Sequence, residues 1–223
     1  MVKEISDETI LANREEFISL IKELKTIEGA RIDELLTFLD ESDFYTAPAS
    51  TKYHNSVKGG LCDHSLNVYR NILAVYERAR QTNPGLKEYP RETLIVVSLL
   101  HDISKTNFYE ACIQNEKVYS DQGTKHDNLG KFEWIAKEGF KVADESKRML
   151  GGDHGFNSVA LLGRYIPLTY EETVAILNHH CGFDNGFVNK ELSSILNRYP
   201  LVTILHIADW MSTYIDENII VNE

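Results

Sequence analysis

The spacing of hydrophobic residues predicts a chain built mostly of helices. From Leu61 onward, apolar residues recur at steps of three and four, which is typical of one helix face, and this pattern stops before Asn83-Pro84-Gly85. The same period predicts helices over about residues 7–25, 30–40, 156–165, 169–180, 190–198 and 200–217. The pattern therefore predicts an all-α fold.

The most hydrophobic helix is predicted to start at Pro90, a residue that favours the first turn of a helix. The following run, ETLIVVSLLHD, is apolar nearly all round, so we expect it to be the central buried helix. Its last two residues are His101 and Asp102. Imidazole and carboxylate groups are standard ligands of divalent metals. Because a helix this buried should not end in bulk water, both side chains are expected to face an internal site.

Two stretches lack a helical period. Residues 41–60, ESDFYTAPASTKYHNSVKGG, read as a loop with a proline and a glycine pair. Residues 107–145 read as an irregular insertion, in which FYEACIQ and KVYS could form a small hairpin around Asn115-Glu116. No linker separates the N-terminal helices, so we expect one structural domain, with residues 1–43 packed on a main domain of residues 44–223.

Composition and charge restrict the partners. A chain of 223 residues can bury one substantial core. Its formal net charge of −11, without a Lys/Arg cluster, argues against duplex nucleic acid, whereas a small phosphorylated ligand stays compatible because a lysine and a metal can reverse the local field. The sequence contains no apolar run of about 18 residues, so no membrane span is predicted. Three widely spaced cysteines and an acidic, polar N-terminus predict a reduced, cytoplasmic protein.

Side chains that can bind metals follow one another in a definite order along the chain. The order is His64, then His101-Asp102, then His154 after Gly151-Gly152, then His179-His180 at a helix end, and finally Asp209. Taken alone, each has an ordinary explanation, such as a hydrogen-bonded core histidine or a salt-bridged aspartate on a helix flank. Yet His64 and Asp209 share helix faces with apolar residues, where an unpaired polar group is costly. The complete order is therefore the stronger signal.

This order resembles that of the HD-domain metal-dependent phosphohydrolase superfamily. The matching motifs are GGLCDHS, LLHDISK, GGDHGFNS, ILNHHCG and HIADWMS, and they span about residues 44–216. The stretch PASTKYHNSVKGGLCDHSLNV is similar to small stand-alone HD proteins of bacteria and phages, and to the HD domain of a three-prime exoribonuclease family. Ser104 departs from the pattern, in which glycine is more usual. The resemblance implies an all-α HD-domain helical bundle with a small irregular or β-hairpin insertion.

The resemblance also implies a centre for two divalent metal ions. The first ion would be held by His64, His101, Asp102 and Asp209, and the second by Asp102, His154 and His179. Asp102, which would bridge the two ions, and Lys105, which would contact phosphate, would be the catalytic residues. The other candidate substrate-binding residues are His180, His54 and Lys58. Mixed histidine and carboxylate ligands leave Mn, Fe, Ni, Co, Zn and Mg all open.

The activity implied by the resemblance is hydrolysis of a phosphoester bond of a nucleotide or another small phosphorylated substrate by a metal-activated water. Three alternatives stay open at this point. The protein could be a three-prime exonuclease or phosphodiesterase acting on short RNA, although the negative net charge disfavours tight binding. It could be a non-catalytic nucleotide sensor, or a di-iron oxygenase on the same scaffold.

Overall fold

The computed structural model describes residues 4–148, 153–181 and 190–217, so the predicted Gly151-Gly152 pair lies outside the described residues. In this part of the chain the α-helices are α1 Asp7–Glu23, α2 Ile32–Glu41, α3 Gly60–Thr82, α4 Arg91–Leu100, α5 His154–Leu162, α6 Tyr170–Leu177, α7 Lys190–Arg198 and α8 Pro200–Met211. The predicted helices are thereby confirmed, with ends that differ by a few residues.

The central helix is α4, as its composition predicts. Every residue from Leu94 to Leu100 is buried, and α3 packs against both α4 and α8. Phe17 of α1 and Leu35 of α2 belong to the same hydrophobic core, so the N-terminal helices share the interior of the helical body. None of the helices in the described ranges is long and apolar enough to cross a membrane.

The all-α prediction is wrong, because the chain also contains a three-stranded antiparallel sheet. Its strands are β1 Tyr109–Tyr119, β2 Lys125–Asp127 and β3 Gly130–Val142, in the order β1-β3-β2. The predicted turn at Asn115-Glu116 lies in the middle of β1, where Asn115 pairs with Ala136. The connection between the two long strands lies farther along the chain, so the hairpin is much longer than the sequence pattern suggested.

The sheet has two different faces. Residues opposite one another in an antiparallel pair lie on the same face. One face carries Ala111 opposite Phe140, whereas the other carries Glu110 opposite Lys141, which form an ion pair of 3.0 Å. Even on the apolar face Trp134 is 50% exposed. The sheet therefore lacks the sharp contrast between buried and exposed positions from which a strand is usually predicted.

Candidate metal centre

Five structural elements bring the predicted metal ligands together. His64 comes from α3, His101-Asp102 from the end of α4, His154 from the first turn of α5, His179 from the turn after α6, and Asp209 from α8. His64, His101, Asp102, His179 and Asp209 are all buried. The packing of α3 against α4 and α8 explains why distant parts of the sequence converge at one point. All six predicted metal ligands thus lie in one cluster.

Asp102 lies at the centre of this cluster, with one carboxylate oxygen facing each of two groups of histidines. Oδ2 is 3.8 Å from Nε2 of His64 and 3.6 Å from Nε2 of His101. Oδ1 is 3.7 Å from Nε2 of His154 and 3.8 Å from Nε2 of His179. Atoms that bind one ion at about 2.0–2.2 Å lie roughly 3–4 Å apart. These separations therefore suit an ion on each side of Asp102.

The backbone at Asp102 is part of this arrangement. Its φ of −106° and ψ of 15° fall in the sparsely populated bridge region, between the end of α4 and a short 3-10 turn over Ile103–Lys105. The change of backbone conformation ends α4 at the site, so that His101 and Asp102 stay with the buried cluster.

Several buried polar atoms in the cluster have no hydrogen-bond partner among the residues that the structure describes. They are Nε2 of His64, Nε2 of His101 and Oδ1 of Asp102. Nε2 of His64 approaches Oδ1 of Asp209 to 3.3 Å, but the two atoms are not aligned as a hydrogen bond. A buried polar group without a partner is destabilising by about 1–3 kcal/mol, and an ion is one explanation for a group of them.

Donor atoms converge on four parts of the cluster. They form the groups His64-His101-Asp209, His101-Asp102-His179, His154-His179-His180 and His54-His64-Glu217, in each of which the donor atoms lie within 4.8 Å of one another. Nitrogen and carboxylate oxygen are a donor set that divalent ions accept. These groups could hold a metal ion.

Hydrogen bonds to the backbone orient two of the imidazole rings. Nδ1 of His101 lies 2.9 Å from the carbonyl oxygen of Ser98, and Nδ1 of His179 lies 2.6 Å from that of Ile176. A carbonyl group can only accept, so Nδ1 carries the proton in each ring and donates it. The lone pair of each Nε2 is then directed into the cluster, which is the orientation that a metal ligand requires.

Lys105 is the positive partner of the central carboxylate. Its Nζ lies 2.6 Å from Oδ2 of Asp102, and its side chain is only 13% exposed. Burial alone would raise the pKa of Asp102, but the charge of Lys105 holds it well below its usual value. Burial likewise opposes the charge on Lys105, yet Asp102 outweighs it and raises the lysine pKa. Both groups are therefore charged.

The histidines differ in charge according to their neighbours. Burial lowers the pKa of His101. Burial also lowers the pKa of His179, and the neighbouring His101 and His180 add to this effect, so that the pKa of His179 lies well below its usual value. Both rings are then neutral, which is the form that binds metals. Burial also acts against a proton on His64, but the carboxylates of Glu217 and Asp209 outweigh it and raise its pKa to about 10. A metal ion that binds Nε2 of His64 would therefore displace a proton from it.

The structure brings two of the three remaining predicted pocket residues to the cluster. The ring of His180 lies 4.2 Å from that of His179, and its Nε2 is 4.0 Å from Oδ2 of Asp209. The ring of His54 lies 4.8 Å from that of His64, and burial lowers the pKa of His54 to about 2. Lys58, by contrast, is not part of the cluster; its side chain is 59% exposed and forms a surface ion pair with Asp7.

The loop that carries His54 is held in place by polar contacts. The hydroxyl of Ser50 donates to the carbonyl oxygen of His54 at 2.8 Å, and the amide of Asn55 donates to Asp63 of α3 at 2.8 Å. Asn55 has a positive φ of 41°, which asparagine tolerates better than most residues. A Cβ at Gly60 would lie 2.0 Å from the carbonyl oxygen of Asn55, so only glycine fits there. The glycine pair of the GGLCDHS motif thus lets the loop close over α3.

Two contacts of the cluster had no predicted role. The hydroxyl of Ser104 donates to the carbonyl oxygen of His154 at 2.8 Å and accepts from Ser158 at 3.0 Å, so it connects the turn after α4 to α5. The carboxylate of Glu217 lies 2.9 Å from Nδ1 of His64. The unusual serine at position 104 was a sequence signal for the contact of Ser104 with α5. The hydrophobic pattern contained no signal for the contact of Glu217 with His64.

No protein-family model, curated protein or solved structure matches this chain. The resemblance to the HD-domain superfamily therefore stays a prediction that depends on the order of the motifs. The geometry adds independent information, since Asp102 and Asp209 meet at one histidine, His64, although Asp209 is 145 positions away from it in the sequence.

Proposed function

We propose that this protein is a metal-dependent phosphohydrolase that cleaves a phosphoester bond of a nucleotide or another small phosphorylated substrate. One observation carries the proposal: the buried carboxylate of Asp102 faces histidines through both of its oxygens and has a lysine beside it. The order of the motifs supports the same activity.

The ligands divide into two sets that share Asp102. His64, His101 and Asp209 would hold one ion, and His154 and His179 the other, with His180 beside the second set. Two divalent ions in such a centre supply an activated water and a polarised phosphoryl oxygen. The ligand set admits Mn, Fe, Co, Ni, Zn and Mg, among which binding measurements would decide.

Access to the centre is easiest from the side of the second set. The side chains of His154 and His180 are 25% and 31% exposed, whereas His64 and His101 are fully buried. The side chain of Lys105 is 13% exposed, and a lysine binds phosphate as a point charge. A substrate that enters beside His154 and His180 could therefore place its phosphate near Lys105 and Asp102.

The free cysteines and the net charge of the chain support a reducing compartment and a small substrate. Cys62, Cys112 and Cys181 are all free thiols, which supports a reducing compartment such as the cytoplasm. The net charge of −11 supports a small substrate over a long nucleic acid.

The test is an activity screen of purified protein loaded with Mn²⁺, Mg²⁺, Ni²⁺ or Co²⁺ against nucleotides and generic phosphodiesters. Asp102→Ala should lose metal binding and turnover together, whereas Asp40→Ala, which removes a surface partner of Arg14, should keep both. Full metal loading without turnover of any substrate would overturn the proposal, and so would an active Asp102→Ala variant.

The same preparation separates the other candidate functions. Shortening of an RNA oligonucleotide would identify an exonuclease, and nucleotide affinity without turnover would identify a sensor. Oxygen consumption by the iron-loaded protein would identify an oxygenase. None of these outcomes is expected.

A further inference from the structure

The helix that carries Asp209 ends in a π-turn over Ser212–Asp216. The backbone N–H of Glu217 donates to the carbonyl oxygen of Ser212 at 3.0 Å, so this bond spans five residues instead of four. Asn71 of α3 holds the turn, because its amide donates to the Ser212 hydroxyl at 2.9 Å and to Asp216 at 2.7 Å. The turn is thus attached to the helix that also carries His64.

The π-turn changes the direction in which Glu217 points. Eight α-helical residues after Asp209, a side chain would be rotated by about 80° from it, at about 100° per residue. The π-turn accommodates one extra residue and reduces the rotation between the two side chains to about 20°. The side chain of Glu217 therefore lies on the same face as that of Asp209. Glu217 then reaches α3, where its Oε1 lies 2.9 Å from Nδ1 of His64 and accepts from the amide of Asn67 at 3.3 Å.

The contact is buried and differs from those of the other ring nitrogens. The side chain of Glu217 is 1% exposed. Nδ1 of His101 and Nδ1 of His179 each donate to a neutral backbone carbonyl, whereas Nδ1 of His64 faces a carboxylate. A carboxylate partner orients a metal-binding imidazole and makes its other nitrogen a stronger donor. The other nitrogen of His64, Nε2, is the buried atom that faces Asp102 and Asp209 without a hydrogen bond.

We propose that Glu217 is a positioning residue of the metal centre, which the π-turn places so that it accepts the Nδ1 proton of His64 and directs Nε2 at the ion. This inference rests on the proposed function, since it assigns a residue that supports the same centre. The supporting residue thus follows the π-turn after α8 and lies beyond the last sequence motif that signals the site.

Removal of Glu217 should weaken metal binding more than it weakens the fold. We expect Glu217→Ala to lower the affinity for Co²⁺ by ~10–100-fold and to shift the visible absorption of the bound Co²⁺. Glu217→Gln keeps a hydrogen-bond acceptor and loses the charge, so its loss should be smaller. The experiment is a Co²⁺ titration of the metal-free protein, followed by visible absorption, with urea unfolding measured in parallel.

Glu172→Gln is the matched control. Glu172 is also a buried carboxylate with two hydrogen bonds, from the Thr93 hydroxyl at 2.7 Å and the backbone N–H of Thr169 at 2.8 Å. Neither contact involves a ligand of the centre. This variant should lose stability but keep the wild-type affinity for Co²⁺ and the wild-type absorption spectrum.

Two results would overturn the inference. One is a Glu217→Ala protein that binds Co²⁺ with wild-type affinity and spectrum; the other is an equal loss of affinity in Glu172→Gln, which would show a general effect of stability. If Glu217→Ala does not fold, Glu217→Gln decides by the same criteria. Absence of Co²⁺ binding by the wild-type protein would instead overturn the metal centre itself, and the inference with it.

Discussion

The ion pair between Lys105 and Asp102 allows the burial of the candidate metal centre to be tested without any metal. Two substitutions, Asp102→Asn and Lys105→Met, each remove one charge with a small change of shape. In the metal-free protein each leaves the other charge buried, because the two side chains are 2% and 13% exposed. The double variant removes both charges and leaves neither without a partner.

The expected magnitude follows from the separation. Two unit charges at the observed 2.6 Å attract by about 6 kcal/mol at an effective dielectric constant of ~20, before the cost of desolvation is subtracted. Breaking a buried pair by removal of one partner typically lowers the free energy of unfolding by ~3–5 kcal/mol. We therefore expect about 3 kcal/mol for each single variant and a coupling energy of about 2–3 kcal/mol in the double-mutant cycle.

The assay is urea unfolding of the four proteins in the presence of a chelator at pH 7. The chain offers a matched control pair, Lys58 and Asp7, with the same residue types and a similar distance of 2.8 Å. Both of these side chains are exposed, so water screens their charges and the cycle should give no measurable coupling.

An additive cycle at Lys105 and Asp102 would refute the reasoning. It would mean that water reaches the carboxylate of Asp102 as freely as it reaches that of Asp7, which would contradict the burial of Asp102. A coupling as small as that of the control pair would have the same meaning. A large coupling energy in both the Lys105–Asp102 and the Lys58–Asp7 cycles would instead show that the distance between the charges matters more than their burial.

Three further substitutions test how the site and its surroundings are held. Ser104→Ala should lower the free energy of unfolding by about 1 kcal/mol and weaken metal binding, because its hydroxyl fixes the backbone of His154; unchanged metal affinity would contradict this role. Thr169→Ala should cost about 1 kcal/mol in urea unfolding by removing the capping box of α6, without an effect on metal affinity. Trp134→Ala should change the free energy of unfolding by less than about 0.5 kcal/mol, since the side chain is half exposed on the sheet; a loss above 2 kcal/mol would show that it packs in a core.

The helices could be predicted because each separates a buried face from an exposed one. The run from Leu94 to Leu100 is the extreme case, and its complete burial is confirmed. The sheet could not be predicted with the same means. The apolar side chains of Ile113 and Trp134 on the strands are largely exposed. The alternation of apolar and polar residues along the strands therefore does not indicate a buried face. The true register depends on pairing between residues up to 33 positions apart, such as Tyr109 with Val142.

The candidate metal ligands were partly predictable for the same physical reason as the core, although the complete set came from the resemblance carried by the order of the motifs. A polar side chain is informative where its neighbours predict burial, and His64 and Asp209 both stand on apolar helix faces. Glu217 carries no such signal, because an acidic residue at the end of a helix ordinarily faces water. Its burial depends on a π-turn that shifts it by one position and on Asn71, which holds that turn from another helix. Ligands that lie on regular elements can thus be recognised from local periodicity, whereas a supporting residue that is positioned by an irregular turn becomes visible only when the tertiary contacts are known.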